Sequence, residues 1–315
     1  MVRRVVVWDD VEMREVEVEP PVRLGRGLAS GLRAEVSGLG LARARAGLDE
    51  VTRGAGVVFA PSAEASSHGN FVDASWRRIM ANPAWARRLG KAHTAKRQAR
   101  ATGPDESVRD WRELDAATSS DALLMNVFCY PRVWTVGLRA LLGVDGTAAV
   151  EFGVRASAPL QRGHVNTTEI DMRVGDLLVE AKLTEADFQF GALRLVERYV
   201  DLDSVFEREK LEVTRRGVRS YQLIRGVLAA HAAAGRFCVL CDARRVDLVE
   251  DWFRVMGAVK SFELQSRLRL VTWQEIAALV PGGLSKFLEV KYGIAAKATP
   301  SRRRTGASSS VDRIA

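Results

Sequence analysis

Residues 168–185 read TEIDMRVGDLLVEAKLTE, and the two alternating runs on either side of Gly175-Asp176 constrain this stretch to a β-hairpin. Glycine in the first loop position supplies the positive φ that a type II′ turn requires. A two-residue loop sets the register, so that Asp171 lies opposite Glu180 and Glu169 opposite Lys182. These four side chains share one face. Ile170, Met172, Val179, Ala181 and Leu183 share the other, which is apolar and core-facing, so a half-buried hairpin is expected.

Two carboxylates facing each other across a strand pair repel, unless a cation sits between them. Hard oxygen donors suit Mg²⁺ or Mn²⁺, and Mg²⁺ takes few protein carboxylates while keeping several waters. Lys182, two residues beyond Glu180, can hold an attacking water and offset the charge that develops on a phosphorane. Such a site hydrolyses phosphodiesters. A merely structural hairpin, with a Glu169 to Lys182 ion pair worth at most about 1 kcal/mol, accounts for the lysine but leaves Asp171 facing Glu180 unexplained.

The flanking pattern is mixed. Residues 2–20 alternate as one or two strands, and the stretch to Gly69 has weak periodicity and suggests no element. From Phe71 to about Arg100 the pattern is helical, interrupted at Asn82 and Pro83. Its cationic end holds Lys91, Lys96, Arg97 and Arg100, which suit either phosphate contacts or a solvated face. SSDALLMNVFCYP predicts a helix with Thr118, Ser119 or Ser120 as N-cap and Pro131 at its end. VEFGVRAS, TTEIDMRV and LLVEAKL then read as three strands. A long helical segment to about Ala234, the strand RFCVLCD, a helix from about Val246 to Met256 and the strand LRLVTW follow. This is an α/β meander leading into a crossover.

Asp171, eight residues, then Glu180-Ala181-Lys182 resembles the active-site motif of the PD-(D/E)XK nuclease superfamily. The order of helix, three strands, helix and strand resembles its restriction-endonuclease-like core over residues 115–275, and SSDALLMNVFCYP is similar to the helix before the core sheet in a bacterial branch. The resemblance implies that Asp171, Glu180 and Ala181 hold Mg²⁺ or Mn²⁺, with Lys182 as the catalytic lysine. Asp121 is the candidate for the further acid that the family's first helix often supplies. Glu169 is a candidate for tuning the lysine and the metal, and Gln222, in YQLIRG, is a candidate on the helix after the sheet. The chain departs from the family in carrying Ile170 before Asp171 and in lacking a tyrosine four residues after Gln222.

The expected organisation is an N-terminal region of strands then helices over 1–104, a nuclease-like domain over 105–296 and a disordered basic tail over 297–315. The tail holds five basic residues against one acidic, half of the net charge of +8, and suits a nucleic-acid arm or a solubilising end. With 47% hydrophobic residues the chain can bury a real core. No run is long and apolar enough to span a bilayer, and acidic residues occupy the place of a signal peptide's apolar centre, so a cytoplasmic protein is expected. Cys129, Cys238 and Cys241 sit in apolar stretches and imply no disulfide framework, and a metal role for the pair in RFCVLCD is disfavoured. His164, before the second strand, is expected to be incidental, and His68 and His93 lack partners at metal or triad spacing. The expected activity is Mg²⁺-dependent cleavage of DNA, with a homodimer left open. The rival readings are a nuclease fold that grips DNA or a partner protein without cutting, and a metal-dependent phosphohydrolase acting on RNA or a small substrate.

Overall fold

The computed structural model describes residues 3–8, 13–18, 27–44, 46, 57–62, 64–92, 100–102, 108–110, 112–145 and 147–296. The basic tail, Lys96, Arg97 and His93 lie outside them. The alternating start forms an antiparallel hairpin of β1 (Arg3–Trp8) and β2 (Met13–Val18). The stretch without clear periodicity contains α1 (Leu28–Arg43), whose Leu32 and Val36 are buried.

The helical region after Phe71 is shorter than its pattern suggests. It comprises α2 (Asp73–Ala81), α3 (Pro83–Ala86) and a 3₁₀ turn over Arg87–Gly90. Pro83 cannot donate to a continuing helix, and the Asn82 side chain accepts from the N–H groups of Ala84 and Trp85 to start α3 afresh. Two short strands, β3 (Arg100–Thr102) and β4 (Val108–Asp110), pair beyond it. The next helix, α4 (Ser120–Phe128), is capped by Ser119, whose hydroxyl accepts from Ala122 N–H. After α5 (Val136–Leu142) the sheet begins.

Its first strand, β5 (Val150–Arg155), leads through the small hairpin β6 (Ala158–Pro159) and β7 (Val165–Asn166) into β8 (Glu169–Val174) and β9 (Leu177–Ala181). Gly175 has φ +60° and Asp176 does not have positive φ, the combination of a type II′ turn. Met172 pairs with Val179 and Val174 with Leu177, in the expected register.

The segment expected to be one long helix is mostly something else. It folds as β10 (Phe190–Gly191), α6 (Leu193–Val196), α7 (Leu202–Val205), β11 (Val213–Thr214) and β12 (Gly217–Arg219), and only then as α8 (Tyr221–Ala232). Its polar turns are satisfied by contacts distant in sequence, such as Glu207 N–H donating to Ala258 O, so local periodicity is a poor guide there. Strand β13 (Arg236–Cys241), α9 (Val246–Met256), α10 (Phe262–Ser266), β14 (Leu268–Thr272), α11 (Trp273–Ala277) and α12 (Gly282–Tyr292) complete the chain.

The five-stranded sheet has the order β14-β13-β9-β8-β5. β5, β8 and β9 form the antiparallel meander, while β13 runs parallel to both β9 and β14, as helical crossovers require. Two apolar layers sandwich it. One joins Leu178 to Leu223, Ile224, Val227 and Leu228 of α8 and to Trp252 of α9. The other joins Met172, Val179 and Ala181 to α4, α12 and Leu32 and Val36 of α1, and so crosses the division expected at residue 104. Cys238 and Cys241 lie in opposite layers, so they cannot share a metal ion. Among the described residues no helix is long and apolar enough to cross a membrane.

Asn126 ties the segment before α2 to α4. Its Oδ1 accepts from Val72 N–H at 2.8 Å, and its Nδ2 donates to Asn70 O at 2.9 Å. Asn126→Ala leaves these buried backbone groups unpaired, and a loss of about 2 kcal/mol or more in stability is expected. A urea titration reads it as a lower midpoint; an unchanged midpoint contradicts the assignment.

Candidate active site

The site forms where β8 and β9 part. Their ladder runs only as far as Met172↔Val179. Beyond it β8 stays with β5, through Val154↔Ile170 and Arg155↔Glu169, and β9 stays with β13, through Val239↔Glu180 and Leu240↔Ala181. A ladder carbonyl is therefore missing for Ala181 N–H, which donates to Asp171 Oδ2 at 2.8 Å instead. N–H and C=O of one strand residue point to the same edge, so the Ala181 carbonyl also faces the Asp171 side.

Only the β8 half of the hairpin is half buried as expected, with alternate residues buried. All of β9 is buried, because α8 covers the face that carries Glu180. Glu180 is 2% exposed and Lys182 5%. Lys182 Nζ donates to Glu180 Oε1 at 2.6 Å. It lies over the Phe188 ring at 5.8 Å, and its backbone carbonyl accepts from Trp273 Nε1 at 2.9 Å. Burial disfavours the ammonium, but Glu180, Glu185 and Asp171 outweigh it and raise the lysine above its ordinary pKa. Lys182 is thus a held cation.

Glu169 does not meet Lys182. The strands have separated before that pair is reached, and Glu169 instead takes Arg88 Nη1 at 2.8 Å and Lys91 Nζ at 3.1 Å. The same two cations hold Asp121 on α4: Arg88 Nη2 donates to its Oδ1 and Lys91 Nζ to its Oδ2, each at 2.6 Å. Lys91 is therefore a partner of the site's carboxylates. Burial opposes the charge on Asp121, but Arg88 and then Lys91 prevail and keep it below the usual aspartate range. Glu169 is lowered in the same way, with Arg88 the leading partner against burial.

Asp171 is the exception. Burial, then Glu180, then Asp121 push it up to about 8, against the weaker pull of Lys182 and Lys91, and Arg88 comes no closer than 3.8 Å. Three carboxylates converge there, and Asp171 is the one whose charged form is disfavoured. Gln222 and Arg225 sit one turn apart on α8. Arg225 Nη2 donates to Glu169 O at 3.1 Å and lies 3.9 Å from Glu180 Oε2. Gln222 makes no hydrogen bond to Asp171, Glu180 or Lys182 among the described residues, and its buried Oε1 has no partner.

Arg88 was not legible as a site residue. It reaches the carboxylates past Gly153, which lies on β5 between Phe152↔Met172 and Val154↔Ile170, opposite Asp171. Gly153 has φ +65°, and a Cβ there would collide with Arg88 Nη1. A glycine inside VEFGVRAS was the only available signal, since a glycine within a strand marks a bulge or a close approach. His68 also has a partner that spacing did not reveal: its Nε2 is 3.1 Å from Asp115 Oδ1, and its Nδ1 accepts from Asn70 N–H, which makes it a buried structural clamp.

The donor set suits a hard divalent cation. Burial and its acidic neighbours disfavour the charged form of Asp171, and such an ion would favour it; Glu180 and Ala181 adjoin it. Among the described residues no group of three or more His, Cys, Asp or Glu is placed to hold a metal ion. The family model described as Restriction Endonuclease associating with ARP matches residues 45–293. No curated protein and no solved structure matches the chain.

Two outcomes follow from the electrostatics. Because Asp171 binds its proton more tightly folded than unfolded, metal-free protein should lose stability as pH rises from about 4 to about 8, on the order of 1 kcal/mol per pH unit. Asp171→Asn should remove that slope in denaturant titrations at several pH values, and equal slopes in both proteins would contradict the assignment. Gly153→Ala should displace Arg88 and destabilise the protein by roughly 1–3 kcal/mol, with a smaller effect in an Arg88→Gln background. Additive losses in that cycle would show that the glycine serves something else.

Proposed function

The chain belongs to the family described as Restriction Endonuclease associating with ARP, a restriction-endonuclease-like nuclease family, and on that premise we propose that it is a metal-dependent endonuclease that hydrolyses DNA phosphodiester bonds. The observation that carries the proposal is the raised Asp171 beside Glu180 and the buried Lys182, at the point where two strands separate. In this reading α4, the β5-β8-β9 meander, α8 and β13 make up a restriction-endonuclease-like core.

Asp171, Glu180 and the Ala181 carbonyl would hold Mg²⁺ or Mn²⁺. When bound, such an ion polarises the phosphate and lowers the pKa of a water. The chain's own groups supply the rest. Lys182 keeps its proton because Glu180 and Glu185 surround it with negative charge, so it serves as a fixed cation and donor toward phosphate oxygens, and not as a base. Ala181 N–H fixes the orientation of Asp171. Arg88 and Lys91 neutralise Asp121 and Glu169, which would otherwise repel an incoming phosphate. Gln222 Oε1, an acceptor without a partner, suits a water or a substrate donor on the α8 side.

The test is supercoiled plasmid incubated with Mg²⁺, with Mn²⁺ and with EDTA. Wild type should nick or linearise it only with metal. Lys182→Ala should lower the rate by a factor of about 10² or more and still show the rise in melting temperature that millimolar Mn²⁺ gives wild type. Asp171→Asn should lose both. Wild type that neither cleaves nor is stabilised by Mn²⁺ would leave the carboxylates a structural role only.

A further inference from the structure

The strand ends that carry the carboxylates also carry a cationic rim that the chemistry above does not use. β5 ends at Arg155, the register partner of Glu169, and the chain runs through the β6-β7 hairpin before it returns as β8. Residues 156–168 contain no acid, and Arg155, Arg162 and His164 are exposed. The segment 192–200 is bonded to this hairpin through its backbone. Gln161 N–H donates to Arg198 O at 2.8 Å, and Val200 N–H to Pro159 O at 3.1 Å. It adds the exposed Arg194 and Arg198. Its one acid, Glu197, lies 4.0 Å from Arg208.

Exposed arginines are ordinarily just a solvated face. Three features set this group apart. Arg155, Arg162, Arg194 and Arg198 form no ion pair among the described residues, whereas the cations at the site are all paired. The rim is also rigidly joined to the site. Asn166 Nδ2 donates to Tyr199 Oη at 2.9 Å and to Tyr221 Oη at 3.1 Å, and Tyr221 opens α8, whose Arg225 holds the Glu169 carbonyl. Finally, the hairpin lies at the separated end of β8 and β9, where Glu169 is 40% exposed and a polyanion can approach.

We propose that the β6-β7 hairpin and the segment 192–200 form a docking surface for the phosphate backbone of duplex DNA, with Arg162 and Arg198 each neutralising a backbone phosphate away from the one cleaved. From Arg155 to Arg162, at the hairpin tip, is seven residues of chain, on the order of 20 Å when extended. That places the contacts a few nucleotides from the scissile bond. The contacts are to the backbone, so they position the duplex and do not read its sequence. The inference rests on the nuclease reading for its substrate, but binding without metal tests it separately.

The experiment measures the affinity of a 30-base-pair duplex in EDTA, by fluorescence anisotropy over a series of salt concentrations. It compares wild type, Arg162→Gln/Arg198→Gln, and the control pair Arg132→Gln/Lys286→Gln, which removes the same charge from exposed sites elsewhere. Each lost phosphate contact reduces the slope of log K against log salt by about 0.9. The hairpin pair should therefore bind with a slope shallower by about 2 and at least roughly tenfold more weakly at low salt. The control pair should match wild type. Thermal melts of all three proteins exclude unfolding; if the hairpin pair melts early, Arg162→Gln alone should still lower the slope by about 1. Equal slopes in the hairpin and control pairs, or a wild type that does not bind the duplex, would overturn the proposal. Wild type that binds with the expected slope but never cleaves would overturn the nuclease reading and leave the surface intact.

Discussion

The structure depends on a balance of charge in the wedge between β8 and β9. Asp121, Glu169, Asp171 and Glu180 converge there with Arg88, Lys91, Lys182 and Arg225. Buried charge is tolerated only when paired or hydrogen-bonded. Asp121 and Glu169 each have two cations, and Glu180 has Lys182. Asp171 alone is left with a backbone amide and a distant guanidinium, so burial and its acidic neighbours disfavour its charged form. The two carboxylates facing each other in the sequence are therefore unequal: one is bound to the lysine and the other is left open to a cation.

The wedge itself comes from competition for backbone partners. β9 is central, with β8 on one edge and β13 on the other, and it is buried on both faces. Past Val179 it follows the parallel neighbour, while β8 follows β5. A strand pair that separates leaves unpaired backbone groups, and the Asp171 side chain satisfies one of them. The gap is thus both a cost in ladder hydrogen bonds and the space in which polar side chains meet. Helices fill its surroundings. α4 supplies Asp121, α8 covers Glu180 with Arg225, and the 3₁₀ turn after α3 sends Arg88 past Gly153. The segment before residue 104 is in this way part of the site.

The sequence by itself determined the hairpin, its II′ turn and its register as far as Val179, because a two-residue loop and an alternating pattern are local constraints. It determined the three residues Asp171, Glu180 and Lys182 as one group, and the mixed sheet with β13, α9 and β14, whose periodicity is strong. It could not determine that Glu169 would face Arg88 and Lys91 instead of Lys182, since that depends on where the two strands part, which is decided by pairing with β5 and β13. Nor did it reveal Arg88, 33 residues from Asp121, or the short elements between Glu185 and Ser220, whose backbone groups are satisfied by partners distant in sequence. Periodicity records which side of an element is apolar. Which cation reaches which carboxylate depends on long-range packing and on the electrostatic requirement that buried charges be matched, and only the folded chain decides that.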